Sequence, residues 1–154
     1  MCGSDHTKVA VTGNPVLGGM AHAEIQVTGG YAYDVIEGQT GYANGNAKLE
    51  GRSNGANKSE AFSVDLTPPA GQTSASFATG LRSISESYKN TENYSFPVPF
   101  GSGRLIGGGF NSNSYVSGLL LESYGTVQTN VPQAASRNGF RLPGWSNPLR
   151  FRNQ

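Results

Sequence analysis

The apolar positions of the chain recur with two different periods. Between residues 8 and 66 they recur in twos. Lys8-Val-Ala-Val-Thr12 reads as a short strand, closed by a turn at Gly13-Asn14-Pro15. From His22 to Thr28 the alternation is strict. His22, Glu24 and Gln26 share one face and Ala23, Ile25 and Val27 the other, the pattern of a strand buried on one side. Gly29-Gly30 is a two-residue hairpin signal, and Tyr31 to Glu37 returns as the partner strand. Residues 38–60 are rich in Gly, Asn and Ser, with Ala47 to Gly51 either a short strand or part of an exposed loop. Phe62, Val64 and Leu66 alternate again, up to Pro68-Pro69.

From residue 73 the period lengthens to that of a helix. Phe77, Leu81, Ile84 and Tyr88 form one stripe over 73–89, with Thr73 or Ser74 as its cap. Tyr94 to Phe100 is an extended, proline-stiffened segment. A second helical pattern spans 110–124, where Tyr115 and Leu119, Val116 and Leu120, and Leu120 and Tyr124 are each four apart. Gly107-Gly108-Gly109 leads into it, and Asn111, Ser112, Asn113 and Ser114 stand where helix-capping side chains belong. Past Gly125 the chain has Pro132, Pro143 and Pro148 without periodicity, so 126–154 is predicted as an irregular C-terminal tail packed on the rest. Strands first and helices second give an α+β fold: a small antiparallel sheet followed by two helices, in a single domain over 1–154.

Composition narrows the function classes. With 22 Gly, 36% hydrophobic and 14% charged residues spread evenly, the chain reads as a loop-rich globular domain. A net charge of +1 gives no field to attract nucleic acid or an anionic membrane, so no nucleic acid partner is expected. There is no apolar run of about 18 residues, hence no transmembrane segment is expected. No basic-then-apolar leader opens the sequence, so no signal peptide is expected either. The lone Cys2 excludes an internal disulfide and a thiolate zinc site, and His6 and His22 are too few for a multi-histidine centre. No metal and no cofactor are expected.

The candidate chemistry starts from a hydroxyl at a helix N-terminus, in a positive field and beside free amides. Ser112 and Ser114 both qualify. A serine nucleophile needs a base, and His22, on the polar face of its strand, suits that role better than His6 near the terminus. A base needs an orienting acceptor, for which Asp34 and Glu37 on the partner strand and Glu24 beside His22 are available. The plainer reading of the same residues is a solvated strand histidine and ordinary caps.

The order of these features resembles the circularly permuted papain-like superfamily, which includes lecithin retinol acyltransferase-like and related amidase or lipase domains. The resemblance lies in His22 on an early strand and in Asn111-Ser112-Asn113-Ser114-Tyr115-Val116 at a helix start, and it covers roughly residues 8–124. The family's cysteine is Ser112 here, and Asp34 is the nearest counterpart of its polar third residue. The resemblance implies a hydrolase or acyltransferase acting on an amide or ester bond. Ser112 would be the nucleophile, His22 the base, Asp34 or Glu37 the orienter, and Gly109, Asn111, Asn113 and Ser114 the substrate-side residues. Such domains often end large bacterial secreted toxins. That implies an antagonistic effector, secreted or delivered into a target cell, with an acyl or peptide-like substrate and a cognate immunity protein.

Two other classes make different demands. A toxin nuclease would use His6 and His22 with Arg137, Arg141, Arg150 and Arg152, and would need a basic groove next to His22. A non-enzymatic binding domain would use the seven Tyr, seven Phe and one Trp as a recognition surface.

Overall fold

The computed structural model describes residues 6–29, 34–43, 46–52, 60–96 and 109–153, with the side chains of Asp34, Tyr42, Ala43 and Asn153 excepted. Among these residues the order is β1 (Lys8–Val16), β2 (Met20–Thr28), β3 (Asp34–Ala43), β4 (Asn46–Arg52), β5 (Phe62–Asp65), α1 (Ser74–Ser87), α2 (Ser112–Tyr124) and α3 (Asn130–Arg137). The strands form one antiparallel sheet in the order β4-β3-β2-β1-β5, so the fold is α+β with strands preceding helices. It has three α-helices among the described residues where the sequence suggested two.

β1 runs straight through the predicted Gly13-Asn14-Pro15 turn. Gly13 is needed there because the Phe62 ring of β5 lies where a Cβ would stand. Pro15 is tolerated because β5 pairs with β1 only over Ala10 to Gly13, so the missing N–H costs no ladder bond. The turn comes at Gly18 and Gly19 instead, both at left-handed φ (78° and 69°) that a side chain would resist.

The β2–β3 register pairs Ile25 with Ile36 and Val27 with Asp34. A two-residue turn at Gly29-Gly30 would have set Thr28 against Tyr31, so the connection is longer than predicted; residues 30–33 lie outside the described residues. β3 then extends into the region read as loop. It leaves β2 after Ile36 and pairs with β4 from Glu37 to Ala43, which makes Ala47 to Gly51 part of a true strand.

The core lies between the Ala23–Ile25–Val27 face of the sheet and the helices, with Phe77 and Leu81 from α1 and Tyr115, Leu119 and Leu120 from α2. Thr73 caps α1 in a reciprocal capping box with Ser76. The predicted irregular tail needs correction. Residues 130–137 form α3, with Pro132 in the first turn, where a missing N–H breaks no helical bond. Val131, Ala134 and Ala135 are buried, the i, i+3, i+4 spacing of a helix face. Leu142, Trp145, Leu149 and Phe151 all enter the core, so the tail is an integral layer. The segments 97–100 and 101–108, including Gly107-Gly108, lie outside the described residues.

Candidate active site

The site arises where the sheet splits. Once β3 departs, the edge of β2 at residues 21–23 has backbone groups to satisfy. The carboxamide of Asn113 does this, since it offers the same donor and acceptor as a peptide. Its Oδ1 accepts from the Ala23 N–H (2.7 Å) and its Nδ2 donates to the Ala21 carbonyl (3.0 Å). The Ala21 N–H donates to the Arg141 carbonyl (2.9 Å), so the tail fills the rest of the gap. The first turn of α2 is thereby clamped on either side of His22.

This clamp creates a cavity of about 260 Å³ lined by His22 and Ser112 together with Leu17, Met20, Tyr94 and Pro143. Ser112 is the first residue of α2, and Asn111 is the cap. Asn111 Oδ1 accepts from the Ser114 N–H (3.0 Å), and the Asn111 carbonyl accepts from the Tyr115 N–H. Among the described residues the N–H groups of Ser112 and Asn113 have no acceptor. They are the free positive end of the helix.

His22 Nε2 meets Glu37 Oε2 at 2.7 Å, and Glu37 is fully buried. Gln39 Nε2 donates to the other oxygen, Glu37 Oε1. A histidine that donates from Nε2 to this carboxylate keeps its lone pair on Nδ1. Gln39 was not singled out from the sequence. Strand alternation from Glu37 would have placed it on the same face.

The predicted residues sort as follows. His22, Glu37 and Ser112 meet at one site. No hydrogen bond joins Ser112 Oγ to His22 among the described residues, although both line the cavity. Ser114 is completely buried and its hydroxyl donates to the Gly144 carbonyl (3.0 Å), which removes it as an alternative nucleophile. Asn111 and Asn113 line the cavity as well, and both donate to the Pro143 carbonyl (2.8 and 3.1 Å). Gly109 is held by Ser95 Oγ and Asn147 Nδ2. The Asp34 side chain lies outside the described residues.

One ligand atom each from His22, Glu24 and Glu37 lie within 4.8 Å of one another, a donor set that suits a hard divalent cation. Of these, His22 and Glu37 are joined directly at 2.7 Å, and Thr12 Oγ1 donates to Glu24 Oε1 (3.3 Å). An adjoining cavity of about 350 Å³ shares His22, Val16 and Tyr94 with the first. Neither cavity is lined by Lys or Arg among the described residues, which therefore supply no basic groove of the kind a nuclease requires. Arg152 pairs with Glu122 (2.6 Å) and Arg141 Nη2 donates to the Gly18 carbonyl (3.1 Å). His6 is exposed and lines neither cavity. No helix among the described residues is long and apolar enough to cross a membrane.

No family model matches the chain, and no curated protein or solved structure matches it.

Proposed function

We propose that the chain is a serine-dependent hydrolase or acyltransferase that cleaves an amide or ester bond. One observation carries this reading: Ser112 opens α2 beside two free amides, in the same cavity as a histidine oriented by a buried glutamate. A nucleophile–base bond is often long before substrate arrives, so the missing Ser112–His22 bond is compatible with this role.

In the first step His22 Nδ1 takes the Ser112 proton and Oγ attacks the substrate carbonyl carbon. The carbonyl π electrons move to oxygen, and the N–H groups of Ser112 and Asn113 face that oxyanion. Collapse expels the amine or alcohol, which leaves with the proton from His22, and the acyl group stays on Ser112. Water or another acceptor, deprotonated by His22, then attacks the acyl-serine and returns the proton to Oγ. Glu37 holds the imidazole in the required tautomer and stabilises the imidazolium.

By the papain-like resemblance, this catalyst would be a bacterial antagonistic effector, delivered into a target cell and held in check by an immunity protein over the cavity.

The test compares the parent with Ser112→Ala and His22→Ala on an activated acyl ester and an acyl anilide, with circular dichroism to show that the variants fold. A loss of about 10²–10⁴-fold in kcat is expected for either variant. Unchanged turnover in Ser112→Ala removes the hydroxyl from the mechanism.

A further inference from the structure

The adjoining cavity contains a residue that the catalytic reading leaves unused. Asn14 lies on β1 directly opposite His22 on β2, so their side chains leave the sheet on one face, roughly 5 Å apart at Cβ. Asn14 is 7% exposed, and among the described residues neither its Nδ2 nor its Oδ1 has a hydrogen-bond partner. Buried carboxamides almost always satisfy both groups, because leaving them unmet costs free energy without return. Asn14 nevertheless lines the cavity of about 350 Å³ with His22, Gln39 and Thr40. Gln26 Nε2 is also buried without a partner among the described residues, but Gln26 lines neither cavity.

We infer that Asn14 is the recognition residue of a substrate subsite, and that the group it takes is an amide. A carboxamide with a free donor and a free acceptor is complemented by a partner with one N–H and one C=O side by side. A primary amide has both, and so does one residue of an extended peptide, whose own N–H and C=O leave the same edge. An ester has acceptors only, so it would satisfy Nδ2 and leave Oδ1 buried and unmet. Sites built to bond a substrate N–H discriminate strongly against analogues that lack it. The cavity shares His22 with the nucleophile cavity, so the amide bound at Asn14 is one flanking the scissile bond or the scissile amide itself. The inference rests on the catalytic reading of Ser112 and His22, and it narrows the substrate to peptide-like amides over simple esters.

Two measurements on the Ser112→Ala protein, where turnover cannot interfere, test it. The first uses N-acetylglycine N-methylamide and its all-ester counterpart, methyl O-acetylglycolate, as probes. The diamide is expected to shift the side-chain amide resonance of Asn14, and to bind about tenfold more weakly when Asn14→Leu is added, as the loss of one to two hydrogen bonds predicts. The diester is expected to bind both proteins alike. Equal binding of the diamide with and without Asn14, or a silent Asn14 resonance, overturns the assignment. The second is thermal unfolding. Asn14→Leu removes unmet polar groups, so it is expected to melt at or above the parent temperature. A lower melting temperature makes the carboxamide structural and overturns the assignment. If the leucine variant fails to fold, Asn14→Asp, isosteric but without the donor, carries the binding comparison, and undiminished diamide binding there counts against the subsite. Turnover persisting in Ser112→Ala would instead strike the catalytic reading and leave the binding result standing.

Discussion

At the scale of single residues the site depends on which face of a strand each side chain occupies. A tight hairpin at Gly29-Gly30 would have put Glu37 directly across from His22. In the observed register β3 is displaced by two residues, and continuing it sets Glu37 across from Glu24. A displacement of two preserves the face, whereas a displacement of one would have reversed it. Glu37 therefore still reaches His22, now on the diagonal, at 2.7 Å. Its carboxylate is predicted to matter for rate more than for folding. Glu37→Gln keeps the shape but no longer demands a hydrogen on Nε2, so kcat should fall about 10²–10⁴-fold, as in triads that lose their acid. The kcat/KM–pH profile on an acyl ester checks this, and an unaltered profile would show that Glu37 does not orient the base. The polar residues around Ser112 were harder to read, because Asn111, Asn113 and Ser114 have the composition of a binding loop. Their bonds to the Ala21, Ala23, Pro143 and Gly144 backbones give all three a structural part, while Asn111 and Asn113 also line the cavity.

At the scale of elements, α2 carries the site and is itself gripped by the tail. Ser114 and Ser117 donate to the carbonyls of Gly144 and Trp145, and the Leu149 N–H donates to the Ser114 carbonyl. Gly118 permits this approach, since a Cβ there would collide with the Leu149 backbone. Two glycine substitutions should consequently act in opposite directions. Gly118→Ala is expected to destabilise by about 1–3 kcal/mol, because the clash is with main chain that cannot step aside. Gly80→Ala on α1, where a Cβ would meet open space, is expected to stabilise by about 0.5–1 kcal/mol through helix propensity. Urea unfolding of both variants decides the matter; equal signs would mean that the α2–tail contact is not tight in solution. The stripe of α1 was legible in the sequence because it is a one-sided helix at a surface. α2 was legible as a helix but not as one buried on every side, since its polar residues are paired with a segment about 30 positions away, as in the Ser114–Gly144 bond.

At the scale of the molecule, the helices and the tail meet in an aromatic cluster of Tyr88, Tyr115 and Phe151, with edge contacts at 5.2–5.8 Å. Burial pushes the phenols of Tyr88 and Tyr115 up from 10.0 to about 12, outweighing the opposing effect of the 2.7 Å hydrogen bond between Tyr115 Oη and Ser85 Oγ. The folded state thus favours the neutral phenol more than the unfolded chain does. This stability is present in full below about pH 10 and is lost as pH rises from about 10 towards 12. Thermal unfolding across that window should show the decline, shallower in Tyr115→Phe, and a flat profile up to pH 12 would contradict it. The sequence by itself determined the strand alternation, the two strongly periodic helices, the α+β order, and the faces of His22 and Glu37, because these are local periodicities of a chain with fixed geometry. Only the tertiary structure decided that β3 abandons β2, that Asn113 and Arg141 take its place, that Ser112 rather than Ser114 opens into the cavity, and that Asn14 stands beside His22 without a partner among the described residues. These facts depend on which distant backbone groups compete for the same edge of one strand, and no local pattern encodes that competition.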